Sequence, residues 1–131
     1  MCAIDGNSEL DQRFRLELLL HRADALEHLD QRREALETVL IAHETSLGAN
    51  LEPYEVCSIN VRFFKAAIRA DEEVLASNAL EVIIRIGWKQ KHLQLLATSM
   101  AEIVDDASLG ANRCVAAFQT AWMAFVTSGE E

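Results

Sequence analysis

Apolar residues recur every three to four positions from about residue 8 to residue 127, and no stretch alternates strictly between apolar and polar. A helical period without a strand period predicts an all-α chain. Six helices are expected. The first covers about residues 8–29, opened by Ser8-x-x-Asp11 in the manner of a capping box, with Phe14, Leu18, Ala25 and Leu29 along one face. Asp30 is placed to cap the second, about 31–47, whose apolar face carries Leu36, Val39, Leu40, His43 and Leu47 and which stops at Gly48 as a left-handed C-cap. Pro53 falls in the first turn of the third helix, which runs to about residue 70. Asp71, Glu72 and Glu73 then supply negative charge to the start of the fourth, which Gly87 ends. The fifth spans about 88–109 with Leu93, Leu96, Met100, Ile103 and Val104 apolar, and the sixth about 112–127 with Val115, Phe118, Trp122 and Phe125. Short connections favour antiparallel neighbours, so the six helices are expected as about three helical hairpins in a single domain over 1–131. Residues 1–7 and 128–131 read as a flexible lead-in and tail.

The pentapeptide Ser46-Leu47-Gly48-Ala49-Asn50 recurs unchanged as Ser108-Leu109-Gly110-Ala111-Asn112, each time where one helix closes, which suggests related units. Small residues add a second regularity. Leu19, Ala23, Leu26, Ala35, Val39 and Ala42 follow in order the large and small spacing by which two helices approach closely. That spacing resembles the tetratricopeptide repeat (TPR), with Arg22 where a leucine is usual and Leu47 where a closing proline is common. A weaker match continues through Phe63, Ala67, Ala70, Ala79 and Ile83, with Ile86 in place of the last small residue. The resemblance covers about half the chain and implies a TPR-like stack with a groove along its inner helices. The alternative is a closed six-helix bundle, which has no groove.

At 131 residues the chain is long enough for one substantial core. Half of it is apolar and a quarter charged, with no run near the roughly 18 apolar residues of a membrane span. The formal charge of -9 disfavours nucleic acid and anionic membrane as partners. This total is uneven: residues 1–50, 51–92 and 93–131 carry -5, 0 and -4. Cys2, Cys57 and Cys114 are an odd set with no Cys-x-x-Cys pair, so neither a disulfide framework nor a thiolate zinc site is indicated, and Cys57 and Cys114 read as small buried hydrophobes. With no basic start or apolar run over residues 1–10, a cytoplasmic location is expected.

Several polar constellations could carry function. In the first helix Glu17, His21, Asp24 and His28 point into one sector about 60° wide. They are candidate ligands for zinc or another divalent ion, although a solvated helix face is the simpler reading. His43 sits within an apolar stripe, as a neutral core histidine bonded to a neighbouring polar group would. In the third helix Ser58, Arg62, Lys65 and Arg69 share one face. A basic stripe in an acidic protein is either paired internally or offered to an acidic peptide or terminal carboxylate, which guanidinium groups hold with forked donors. In the last helix Phe118, Trp122 and Phe125 either pack inward or form a homodimer face. No nucleophile triad, phosphate loop or zinc-protease signature is present, no cofactor is expected, and the chain is not expected to be an enzyme. The expected function is a protein or peptide interaction module; the alternatives are an acidic inhibitor of the immunity type that covers a basic site, and a metal protein built on the first helix.

Overall fold

The structure, a computed structural model, describes residues 4–128. Six α-helices and no strand occur among them: α1 (Ile4–His28), α2 (Arg32–Leu47), α3 (Pro53–Arg69), α4 (Glu73–Ile84), α5 (Leu93–Val104) and α6 (Ala111–Thr127). A π turn over Arg85–Lys89 prolongs α4, and a 3-10 turn over Ala107–Leu109 precedes α6. Ser8 therefore lies inside α1 rather than at its start, and residues 4–7 of the expected lead-in belong to the helix. Residues 1–3 and 129–131 lie outside the described range.

Helices α1 and α3 end by the same device. Asp30 and Asp71 take left-handed backbone angles, with φ of 61° and 62°. The N–H of Gln31 donates to the Leu26 carbonyl at 2.9 Å and that of Asp30 to Glu27 at 3.0 Å; Glu72 and Asp71 repeat this toward Ala67 at 2.8 Å and Ile68 at 3.1 Å. This is the Schellman closure, built on aspartate instead of glycine, whose short polar side chain tolerates the left-handed region. Asp30 thus terminates α1 and does not cap α2, which has no side-chain cap. The two expected glycine stops are also different from expectation. Gly48 keeps right-handed angles, with φ of -91°. Gly87 lies inside the π turn, where an added Cβ would sit 2.3 Å from Cβ of Leu96, so it admits α5 to close approach instead of ending a helix.

The repeated pentapeptide adopts two structures. Leu47 ends α2 and is 75% exposed, whereas Leu109 is 2% exposed in the 3-10 turn, and the following Gly110 takes φ of 87° to swing the chain into α6. Identical sequence here reports a useful local signal and not equivalent units.

Helix α3 is the centre of the packing. Its capping box joins Glu52 and Glu55, Pro53 occupies the first turn, and Cys57, Val61, Phe64, Ala67 and Ile68 are buried. Consecutive helices pack from α1 to α4; α6 then lies along α4, while α5 rests on α3 and the π turn and meets α6 only slightly. One apolar core runs through all six helices, with Phe64, Ile68, Ile83 and Phe125 sealed from solvent. Ala23, Ala35 and Ala42 are buried where α1 meets α2, with Val39 beside them and Leu19 and Leu26 half-buried. Small residues there let the two backbones approach. Phe14, Leu18, Ala25 and Leu29, in contrast, face outward.

Candidate functional site

The face of α3 opposite its core side forms the floor of a groove of about 660 Å3, walled by α1 and by the end of α5 with the turn after it. Ser58, Arg62, Lys65 and Arg69 all line it, so the stripe expected from helical spacing is assembled. Its cations are internally paired. Arg62 donates through Nη1 to the Asp24 carboxylate at 3.1 and 3.2 Å. Arg69 donates to Glu27 at 2.9 Å and to Asp106 at 2.8 Å, and Lys65 lies 3.4 Å from the same Asp106 oxygen. These pairs tie α1 and the α5–α6 turn to α3.

Exposure separates the pairs. Arg69, Glu27 and Asp106 have side chains 25%, 23% and 20% exposed, whereas Arg62 and Asp24 stand at 41% and 53%. Water competes less for the first set, which makes it a structural tie, and more for the second, which can exchange partners. Hydrogen bonds from the Ser108 side chain, opposed by desolvation and joined by the Ser108 N–H and the charges of Arg69 and Lys65, hold the Asp106 carboxyl below its usual value. Asp106 is thus a fixed anion.

Toward the other end, Ser58 also borders a smaller recess of about 220 Å3 lined by Leu16, Leu20, Leu51, Tyr54 and Ile59. Arg13 closes it by donating to Glu55 at 3.0 Å and to the Asn50 carbonyl at 2.9 Å. The backbone N–H of Glu52 is the main reason the Glu55 carboxyl is lowered, with Arg13 assisting against desolvation. The groove therefore offers an apolar recess at one end and charges of both signs at the other.

Of the first-helix cluster, Asp24 is engaged by Arg62, His28 lines the charged end of the groove, Glu17 lines the apolar recess, and His21 is exposed. Among the described residues no group of three or more histidine, cysteine or acidic side chains is close enough to hold a metal ion. The α6 aromatics pack inward: Phe125 is 0% exposed, and the Trp122 ring stacks on Phe118 at 6.4 Å and meets Trp88 edge-on at 6.0 Å. His43 differs from its expected bonding, since its buried Nδ1 has no hydrogen-bond partner and its ring lies 5.3 Å from Phe63. Burial lowers its pKa, against a smaller opposing effect of Glu44. Desolvation raises the thiol pKa of Cys57 and of Cys114, which keeps both in the protonated, unreactive form.

Sequence spacing located the cations but missed Glu27, Asp106 and Ser108. These reach the groove from elements 37 to 42 positions away, a separation no local period encodes. The one local signal is Asp106-x-Ser108, in which the carboxylate accepts the Ser108 N–H as a cap.

A scan against protein-family models matches none, and comparisons with curated proteins and with solved structures find no match. No helix among the described residues is long and apolar enough to cross a membrane.

Proposed function

We propose that this chain is a non-enzymatic interaction module, a TPR-like helical stack that receives a segment of a partner protein in the groove between α1, α3 and α5. The observation that carries this reading is the graded ion-pair floor. The tie through Arg69 and Asp106 keeps the walls in place, while the more exposed Arg62–Asp24 pair can open to an incoming carboxylate. A peptide carboxylate, from an acidic side chain or a chain terminus, then exchanges with Asp24 for the forked donors of Arg62. An apolar side chain of the same segment fits the Leu20–Tyr54 recess, so the two ends of the groove contribute different selectivity.

This exchange gives opposite signs to two substitutions. Asp24→Asn frees Arg62 and strengthens capture of a carboxylate-bearing peptide, whereas Arg62→Gln weakens it. Ser58→Trp, at an exposed position between the two parts of the groove, blocks entry without touching the core. Affinities measured for the three variants with one captured partner test the proposal. Equal affinities across the set would contradict it.

A second reading has its own observation. Glu34, Glu37 and Glu44 flank Ile41 on the outward side of α2, all exposed and with no cation partner among the described residues. Such a strip suits an acidic inhibitor that covers a basic site on an enzyme. Glu37→Lys with Glu44→Lys abolishes partner binding under that reading and leaves it intact under the groove reading.

A further inference from the structure

The face of α1 on which Phe14, Leu18, Ala25 and Leu29 recur has the spacing of a core face, yet the fold turns it to solvent. Phe14, Leu18 and Leu29 are 64%, 54% and 66% exposed, and Ala25 is exposed between them. Helix α1 buries Leu16 and Ala23 on its inner side, meets α2 on one flank and is tied to α3 through the groove on the other. Its outward side ends the stack. From Phe14 to Leu29 the stripe is about 22 Å long, roughly four turns of apolar surface on an acidic protein.

We propose that this stripe pairs with a second copy of itself, two α1 helices lying antiparallel about a two-fold axis near residue 22. What the stripe carries is self-complementary. In that register Phe14 meets Leu29 of the second copy and Leu18 meets its Ala25, so each large side chain finds an apolar partner and the smallest residue receives Leu18. The flank beside the groove matches as well. Glu17 faces His28 of the second copy, and His21 faces its Asp24, whose carboxylate also holds Arg62, so each imidazole on this flank has a carboxylate to which an N–H can donate. All four flanking side chains are exposed. Placed parallel, about a two-fold axis along the helices, the stripe would instead set Phe14 against Phe14 and Ala25 against Ala25, crowding one level and leaving a gap at another.

The opposite flank limits the strength of the pair. Arg22 is exposed and lies nearest the two-fold axis, where it meets its own counterpart. Like charges at that point, together with a single helix as the whole contact, make the dimer weak and concentration-dependent. The flank carrying Glu17 and Asp24 is also a lip of the groove, so both grooves open on the same side of the dimer. Two grooves side by side would let one dimer hold two segments of a multivalent partner more tightly than either groove alone. The apolar stripe itself lies outside the groove, and Glu17, Asp24 and His28 border both.

Sedimentation equilibrium over about 1 to 300 µM protein tests the proposal in a range that spans weak association. The mean mass is expected to rise from one chain toward two. Leu18→Glu, at an exposed position outside the core, should weaken association by at least about tenfold with the helical circular dichroism unchanged. Glu17→Lys and His28→Glu should each weaken it, and the two together should restore it by reversing the facing pair. Arg22→Ala should tighten it, and Ser58→Trp should leave it unaltered. A chain that stays monomeric throughout, a dimer that survives Leu18→Glu, failure of the double reversal to restore association, or loss of the dimer with Met123→Glu on α6 would each overturn the proposal.

Discussion

Replacing Arg69 by methionine keeps most of the side chain's length and apolar stem while removing the guanidinium that joins three parts of the chain. Wild-type Arg69 contacts Glu27 on α1 at 2.9 Å, and Asp106 at 2.8 Å and Ser108 at 3.1 Å in the α5–α6 turn. Fully exposed ion pairs contribute about 0–1 kcal/mol and breaking a fully buried one costs about 3–5 kcal/mol. With all three charged side chains about one quarter exposed, the cost falls between these limits, at about 2 kcal/mol. For a domain of this size that lowers Tm by about 8 °C. The effect has a defined pH window. The folded Asp106 carboxyl titrates below its unfolded value of 3.8, so its contribution is complete above that value and disappears as pH falls through the folded one. Urea unfolding of wild type and Arg69→Met at pH 7 and near pH 3 measures both parts. A difference under about 0.5 kcal/mol at pH 7 would refute the view that this pairing ties the groove walls together, and a difference unchanged at low pH would refute its dependence on Asp106.

Two further outcomes follow from the fold. Gly87→Ala pushes a Cβ into Leu96 at 2.3 Å and should cost about 1–3 kcal/mol in denaturant unfolding, because α5 or the π turn has to shift; a variant as stable as wild type would contradict that close approach. The His43 imidazole is held below its ordinary value of 6.5, so the unfolded chain takes up a proton at higher pH than the folded one. Stability from the neutral ring is complete above 6.5 and is lost as pH falls from there toward the folded value. His43→Leu should remove this loss, measured as the stability difference between pH 7.5 and pH 5; an unaltered slope would mean that the ring titrates as it does in the unfolded chain.

Much of the architecture was legible because it depends on local spacing. The six helices, the buried Ala23, Ala35, Val39 and Ala42, and the common face of Ser58, Arg62, Lys65 and Arg69 all follow from a period of 3.6. The face of α1 was less legible, since that helix carries two apolar stripes and the one with the larger residues is the outer one. Periodicity finds such stripes but does not rank them, because ranking depends on which stripe α2 can reach. Helix ends are less legible, because aspartate as well as glycine can take the left-handed conformation: Asp30 and Asp71 stop α1 and α3, while Gly48 does not take it. The acid half of the groove, Glu27 and Asp106, is assembled by tertiary packing alone.

The groove account rests on an exchange of Arg62 between Asp24 and an incoming carboxylate, and amide and side-chain NMR of the labelled protein observes that exchange directly. Titration with a mixed-sequence peptide library bearing free terminal carboxylates should shift the resonances of Ser58, Arg62 and Asp24, with a smaller effect at Leu20 and Tyr54, while the same library with amidated termini and no acidic side chains should not. Shifts confined to Glu37, Ile41 and Glu44, or no shifts from either library, would contradict the account.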